Sequence, residues 1–134
     1  MIGLDTNILA RYLTQDEPQQ AALATEVIEG ECSRERPGRI ALVVLCELVW
    51  VLRGAYRYDK AVVVRVLEEL LQSAELAVEA EEVVHQALAA YRDGAADFAD
   101  YVIAYSNHAA GCTLTRTLDR RLAAHQYAGY PETD

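Results

Sequence analysis

Residues 40–52 read IALVVLCELVWVL, and Glu47 is the only charged residue among these thirteen. A stretch this apolar predicts a segment that enters the protein interior. An ionised carboxylate buried there without a partner would cost several kcal/mol, or it would take up a proton. A cation bound from solution would remove that cost, so Glu47 is a candidate ligand for a cation.

Three other acids have the same character, because each stands at the edge of an apolar segment. They are Asp5 in MIGLDTNILARYL, Asp100 in DFADYVIAY and Asp119 in CTLTRTLDRRL. A single acid in such a position is ordinarily solvated or paired with arginine. The functional interpretation therefore depends on the joint placement of the four acids.

Length and composition predict one compact domain over residues 1–134. Hydrophobic residues make up 52% of the chain, which is enough for a core without disulfides or structural metal. The three cysteines form no CxxC pair, so we expect them to be reduced and mostly in the core of a cytoplasmic protein. We expect neither a signal peptide nor a membrane span, since no basic leader and no apolar run of about 18 residues or more occurs.

The formal net charge of the chain is −9. This acidity disfavours a protein that coats nucleic acid with a broad basic face. It is compatible with an enzyme that binds phosphates through a small basic rim, and it favours a cationic partner such as a metal ion or a basic peptide. The candidate RNA-binding residues are the arginines near Asp5 and Asp119 in sequence, namely Arg11, Arg116, Arg120 and Arg121.

Strands and helices are predicted to alternate along the chain. The predicted strands are residues 2–4, 39–43, 76–78 and 112–115. The predicted helices are residues 7–13, 18–33, 44–53, 62–71, 81–92, 97–110 and 120–125. This order predicts an α/β fold with a mostly parallel sheet covered by helices on both faces.

The predicted strand order brings the acids to one edge of the sheet. In open parallel α/β sheets, ligands bind beyond the carboxyl ends of the strands. Asp5 follows the first predicted strand, Glu47 lies in the first turn of the helix after the second, and Asp119 comes soon after the last. Asp97 and Asp100, three residues apart, share one face at the start of a helix. Carboxylates gathered in this way would repel one another, so we expect a cation between them.

Carboxylate-rich oxygen sites suit Mg²⁺ or Mn²⁺. Such ions activate water, orient a phosphodiester and neutralise charge on the leaving oxygen. Asn7 and Thr117 would add neutral oxygen atoms beside Asp5 and Asp119, although turn and cap chemistry explains both residues about as well.

Four segments span the chain from end to end: LDTNILARYL, VVLCELVWVL, GAADFADYVIAYSNHAAGC and TRTLDRRL. Together, and in this order, they resemble the PIN-domain nucleases of the VapC toxin type. The resemblance implies a three-layer α/β/α sandwich with a small, mostly parallel sheet and a divalent-metal ribonuclease site. It implies that the catalytic and metal-binding acids are Asp5, Glu47, Asp100 and Asp119, with Asp97 as an accessory metal ligand and Thr6, Asn7 and Thr117 as supporting residues.

The resemblance also implies partners for the chain. These are an RNA substrate, Mg²⁺ or Mn²⁺, a second copy in a homodimer, and an antitoxin whose basic or apolar tail enters the acidic groove. The wide apolar faces of residues 41–52 and 62–71 independently favour a homodimer, although burial of both faces in a single core explains them about as well. Leu118 departs from the pattern, because the family more often has an aromatic residue before the last aspartate.

Other classes of function fit parts of the same pattern. A phosphate-accepting receiver needs an acidic pair and a lysine after a late strand, but Thr6 follows Asp5 and Lys60 is the only lysine. An aspartate-nucleophile phosphatase needs a second aspartate where the chain has Asn7. A non-catalytic acidic module that holds a basic peptide would use the same acids without metal, and a PIN nuclease without an antitoxin is a further alternative.

Overall fold

A computed structural model describes residues 1–131 of the chain. The chain divides into two units, Met1–Ala80 and a second that begins at Glu81. The first unit contains β1 (Ile2–Gly3), α1 (Thr6–Thr14), α2 (Pro18–Glu31), β2 (Gly38–Ile40), α3 (Leu42–Gly54), α4 (Lys60–Gln72) and β3 (Leu76–Val78). The second contains α5 (Glu81–Asp93), α6 (Phe98–Ala109), β4 (Thr115–Arg116), α7 (Arg120–Ala123) and β5 (Ala128–Gly129).

The sheet of the first unit has the order β1-β2-β3, and both strand pairs are parallel. Two helices separate each strand from the next in sequence, as parallel neighbours require. Gly38 is needed where β2 begins, because a Cβ atom there would lie 2.7 Å from both Cys32 Sγ and a side-chain carbon of Leu4. The strands therefore pack closely, and Ile40 is completely buried between the helices and the sheet.

The core of the first unit forms between the sheet and its helices. Helix α1 packs against α2 and α3, and α3 packs against α4. The largest side chains that these helices bury almost completely are Leu9, Leu45, Leu48, Leu52 and Leu67. Their leucine-rich spacing agrees with the predicted apolar helix faces, so periodicity identified these helices correctly.

The predicted boundary between the second strand and the third helix was wrong. Residues 42 and 43 begin α3 rather than extending β2, and the Leu42 N–H donates to Glu79 Oε1 at 2.8 Å. That bond satisfies one of the amides that a helix start leaves without a partner. An apolar run alone does not distinguish a buried strand from a buried helix. As a result, Glu47 lies in the second turn of α3 and not in the first.

The prediction that residues 40–52 enter the protein interior holds for only part of the run, and the predicted burial of Glu47 was wrong. Val43 and Trp50 on α3 are 63% and 56% exposed, and Glu47 is exposed as well. Exposed apolar side chains are common on protein surfaces, so an apolar run does not guarantee burial on every side. A cation is therefore not required to offset burial of Glu47, and the argument for a metal has to come from how the acids are arranged.

In the second unit, α5 packs against α6 around Phe98, which is completely buried and meets Tyr91 edge-on at 5.9 Å between ring centroids. Strands β4 and β5 pair in parallel. The predicted strand over 112–115 was wrong, because the chain turns after α6 and the Cys112 N–H donates to Asn107 O at 2.9 Å. Pairing begins only at Thr115, and its partner strand β5 lies after the last predicted helix, where no strand was predicted.

The protein is thus a helix-rich α/β protein with a small parallel sheet, as the sequence predicts. The covering of both sheet faces and the single-domain organisation stay predictions. All three cysteines are free, but only Cys32 is buried, so their predicted burial was mostly wrong. Within residues 1–131, none of the helices has both the length and the apolar character needed to cross a membrane.

A polar network ties the end of α1 to the end of α3. Arg11 Nη1 lies 2.9 Å from Asp16 Oδ2 and donates to Tyr56 Oη at 2.9 Å, while its Nε donates to Gln20 Oε1 at 2.7 Å. The Tyr56 hydroxyl in turn donates to Asp16 Oδ2 at 2.7 Å. The hydrogen bonds from Tyr56 and Thr14, together with Arg11, lower the pKa of Asp16 to about 2. The network therefore stabilises the ionised form of Asp16.

This lowered pKa makes the contribution of Asp16 to stability depend on pH. Because the folded-state pKa is below the ordinary value of 3.8, the stabilisation is complete above about pH 4 and disappears as the pH falls toward 2. We expect Asp16→Asn to be less stable than the parent at pH 6, and we expect the two free energies of unfolding to converge between pH 4 and pH 2.

Urea denaturation at a series of pH values measures this convergence. Asp59→Asn is a matched control, because Asp59 is an exposed residue at the start of α4 whose side chain makes no capping hydrogen bond. A parent–variant difference for Asp16→Asn that stays constant from pH 6 to pH 2 would contradict the role of the network.

Candidate functional site

Asp5 and Glu47 of the first unit are linked through Thr6. Asp5 follows β1 and caps α1, where its Oδ1 accepts the Thr6 N–H at 2.7 Å. The Thr6 hydroxyl donates to Glu47 Oε1 at 2.7 Å, across 41 residues of sequence. Thr6 thus holds one carboxylate through its backbone and the other through its side chain, which fixes both acids relative to the start of α1.

These residues line a cavity of about 650 Å³ in the first unit. Asn7 lines the same cavity as Asp5, Thr6 and Glu47. The remaining lining comes from α1, from the end of α3 and from the network of Arg11, Asp16 and Tyr56: Ala10, Arg11, Asp16, Val51, Ala55 and Tyr56. The sequence analysis missed Asp16 and Tyr56, because nothing in their local sequence indicates that they meet 40 residues apart.

The second unit gathers the other three acids. Asp97 caps α6, and its backbone N–H donates to Asp100 Oδ2 at 3.1 Å. This bond confirms the prediction that the two acids share the first turn of one helix. It also holds the Asp100 carboxylate at the positive end of α6, where an acid is stabilised by the helix dipole.

Asp119 is fixed by residues on both sides of it. Its N–H donates to Thr117 Oγ1 at 3.0 Å, and its Oδ1 accepts the Arg121 N–H at 2.9 Å at the start of α7. The Arg121 guanidinium also pairs with Asp119, with Nη2 3.2 Å from Oδ2. The hydrogen bonds from Arg121 lower the pKa of Asp119, so this carboxylate is ionised at neutral pH. Thr117 therefore contacts Asp119 directly, and its supporting role in a functional site stays a prediction.

The surroundings of Asp100 raise its pKa, whereas those of Asp119 lower the pKa of that residue. Burial is the largest cause that raises the pKa of Asp100, and the carboxylates of Asp119 and Asp97 raise it further. The Asp97 N–H and the charge of Arg121 act in the other direction but do not cancel the increase. The three acids are thus close enough to repel one another, and ionised Asp100 carries an electrostatic cost that a cation would relieve.

The two predicted basic residues of β4 and α7 both contact Tyr130. Arg116 Nη1 donates to Tyr130 O at 3.2 Å, and the Arg120 guanidinium lies 3.9 Å from the centre of the Tyr130 ring. Both arginines are exposed. Tyr130 thereby orders the basic side chains next to Asp119, a role that its sequence position near the chain end did not indicate.

The predicted site residues fall into two sets, one in each unit. Each set is held by short-range hydrogen bonds, the first around Thr6 and the second around Asp97, Thr117 and Arg121. Across residues 1–131, no group of three or more His, Cys, Asp or Glu side chains is arranged to hold a metal ion. The carboxylates of the second set therefore interact electrostatically without forming a closed ligand cage, and metal binding stays a prediction.

The repulsion within the second set can be tested without metal. Replacing Asp119 by Asn removes a negative neighbour of Asp100 and frees Arg121, so we expect the raised pKa of Asp100 to fall. NMR titration of the Asp100 carboxyl carbon in the parent and in Asp119→Asn measures the change, with Asp59→Asn as the control that leaves it unaltered. An Asp100 pKa that is the same or higher in Asp119→Asn would contradict the electrostatic coupling.

Comparison of the sequence with known protein families identifies the family of this chain. Residues 2–126 match the PIN domain family, which covers both units and all five acids of the two sets. No curated protein matches the chain. Because the family match extends over most of the sequence, the chain belongs to the PIN domain family, whose members are generally nucleases.

Proposed function

We propose that the protein is a divalent-metal-dependent endoribonuclease that hydrolyses RNA phosphodiester bonds. The observation that carries the proposal is the environment of Asp100, which is half-buried beside the carboxylates of Asp97 and Asp119 and has a raised pKa. Membership of a nuclease family over residues 2–126 supports the same conclusion. An arrangement of like charges that costs stability persists most readily where it serves a function.

The donor atoms of the two sets suit a hard divalent cation. All five acids offer carboxylate oxygens, and Mg²⁺ and Mn²⁺ prefer oxygen ligands. The residues proposed as metal ligands are Asp5 and Glu47 in the first unit and Asp97, Asp100 and Asp119 in the second. These residues suit the ion by the chemistry of their donor atoms and by their charge. The described side chains form no closed group of ligands.

A bound ion would supply Lewis acidity, lowering the pKa of a water molecule and neutralising charge on the scissile phosphate. The protein's own contribution is to hold its carboxylates in place before substrate arrives. Thr6 fixes Asp5 and Glu47, and the Asp97 N–H fixes Asp100. Thr117 and Arg121 fix Asp119. Side chains oriented in advance need no reorganisation during the reaction, which is a large part of electrostatic catalysis.

The proposed RNA-binding residues differ in how free they are to act. Arg116 and Arg120 are exposed, so both can approach phosphates on a chain that is otherwise acidic. The guanidinium of Arg11 is engaged by Asp16, Gln20 and Tyr56. We therefore assign the main phosphate contacts to Arg116 and Arg120, and we keep Arg11 as a weaker contributor beside the cavity of Asp5 and Glu47.

The narrower proposal is a VapC-type toxin of a toxin–antitoxin pair, acting in the cytoplasm as a homodimer. The resemblance of four sequence segments to that type supports it. The exposed apolar side chains of Val43 and Trp50 on α3 suit a protein interface. A net charge of −9 suits an antitoxin with a basic tail, and arginine would bind the acids better than lysine because its planar guanidinium meets a carboxylate with two hydrogen bonds.

The ribonuclease proposal predicts the behaviour of Asp100→Asn. The amide oxygen of the variant still accepts the Asp97 N–H, but the charge that would bind the ion is gone. We expect RNA cleavage with Mn²⁺ to fall by at least about 100-fold. Without metal, we expect the variant to be as stable as the parent or more stable, because a repelled carboxylate has been removed.

Two measurements on the same samples check this. A labelled single-stranded RNA reports cleavage, and thermal melts with and without Mn²⁺ report binding of the ion through its effect on stability. We expect Mn²⁺ to stabilise the parent and the control Asp59→Asn alike, and to stabilise Asp100→Asn less. Equal stabilisation of all three proteins, or full cleavage by Asp100→Asn, would contradict the proposed metal site.

A further inference from the structure

A second cavity lies in the second unit, apart from the carboxylates described above. Its volume is about 470 Å³, within the roughly 300–1,000 Å³ typical of ligand pockets. The rings of Tyr101, Tyr105 and His125 line it, together with Arg121, Asp93 and several alanines. Tyr101 is buried, whereas Tyr105 and His125 are half-buried and keep part of their surfaces accessible. The cavity thus combines aromatic walls with a guanidinium group.

Hydrogen bonds determine which nitrogen of the His125 ring, which lines this cavity, carries the proton. The Tyr127 N–H donates to His125 Nδ1 at 3.0 Å, so Nδ1 carries no proton. In the neutral ring the proton then lies on Nε2, which donates to the Tyr105 hydroxyl oxygen at 3.1 Å. This bond uses an oxygen lone pair and leaves the Tyr105 hydroxyl hydrogen for another acceptor.

Burial supports the same assignment of protons. It lowers the pKa of His125, which keeps the imidazole neutral near pH 7, and it raises the pKa of Tyr105, which keeps the phenol protonated. The aromatic cluster is rigid, because the His125 ring packs edge-on against Tyr105 at 5.1 Å and against Tyr101 at 5.7 Å between centroids. The cavity therefore presents a fixed hydroxyl donor between fixed rings.

Arg121 connects this cavity to the acids. It lines the cavity, and its guanidinium pairs with Asp119 at 3.2 Å. A nucleotide with its phosphate near Asp119 would therefore have its base within reach of the aromatic walls. Arg121 can donate to that phosphate or to the base, since a guanidinium has five N–H donors and Asp119 takes only some of them.

We propose that this cavity is a subsite for one unpaired nucleobase of the RNA substrate. Unpaired bases are recognised by stacking on aromatic rings and arginine planes and by hydrogen bonds to their edges, and the cavity offers each of these. The inference rests on the proposed ribonuclease function, because that function supplies the RNA. It goes further by naming where a base binds and which side chains contact it.

The subsite can be blocked without removing any side chain from the core. Ala89 on α5 and Ala124 just after α7 line the cavity from two elements, and both are exposed. Ala89→Leu and Ala124→Leu would each add an isobutyl side chain to the lining and obstruct part of the cavity. Ala109→Leu is the matched control, because Ala109 is an exposed alanine at the end of α6 in the same unit.

Binding of AMP, CMP, GMP and UMP to the full chain, without divalent metal, is measured by NMR chemical-shift titration. We expect the parent and Ala109→Leu to bind at least one nucleotide with equal affinity, with shifts centred on Tyr105 and His125. We expect Ala89→Leu and Ala124→Leu to bind it about ten-fold more weakly, since stacking of one base contributes at least that much. Equal affinities in all four proteins, or no binding to the parent, would overturn the subsite.

A cleavage assay on the same proteins separates this inference from the proposed function. If the parent binds nucleotides in the cavity but cleaves no RNA, the subsite stands and the ribonuclease proposal is wrong. If the parent cleaves RNA, and Ala89→Leu and Ala124→Leu cleave it with the same KM as the parent, the ribonuclease proposal stands and the proposal of a base subsite is wrong.

Discussion

Repulsion between carboxylates is the constraint on which the second unit depends. Asp100 is half-buried beside Asp97 and Asp119, and its pKa is raised because the folded protein makes its ionised form unfavourable. The fold limits this cost in two ways: the Asp97 N–H binds Asp100, and Arg121 pairs with Asp119. Neither removes it. A protein that keeps such a cost at one place gains most if a cation binds there.

The first unit solves a different problem, which is to fix acids that are exposed. Exposed carboxylates keep their hydration and pay no desolvation free energy, but their side chains are also free to move. Thr6 prevents this, because its backbone N–H binds Asp5 and its hydroxyl binds Glu47. Asp5 can be reached in this way because it caps α1 directly after β1. The parallel sheet thus contributes to the site by setting where the helix start lies, which is the usual relation between strand ends and ligands in α/β folds.

Local sequence patterns predicted the helices, the parallel strands and the two acids that begin α6. They also predicted that Asp5 and Asp119 follow strands at helix starts. What they did not predict depends on contacts between distant residues. The Leu42 N–H at the start of α3 donates to Glu79, which is 37 residues away in sequence. The Tyr56 hydroxyl donates to Asp16, which is 40 residues away. Strand β5 is defined by its pairing with β4, and its residues, Ala128 and Gly129, are both of types that are depleted in strands. The prediction that Glu47 is buried was wrong, because the apolar residues around it in sequence do not determine which side of the helix faces solvent.

The central claim is that a divalent ion binds beside Asp100, where burial and the carboxylates of Asp97 and Asp119 make the charge of that residue unfavourable. Mn²⁺ tests it directly, because it is paramagnetic and broadens the NMR signals of nuclei close to it. On addition of substoichiometric Mn²⁺ to the parent protein, the account predicts that the amide signals of Asp97, Asp100 and Asp119 broaden together at the same concentration. Signals of these three residues that stay sharp, or broadening that is as strong at exposed acids such as Glu26 and Asp59, would contradict it.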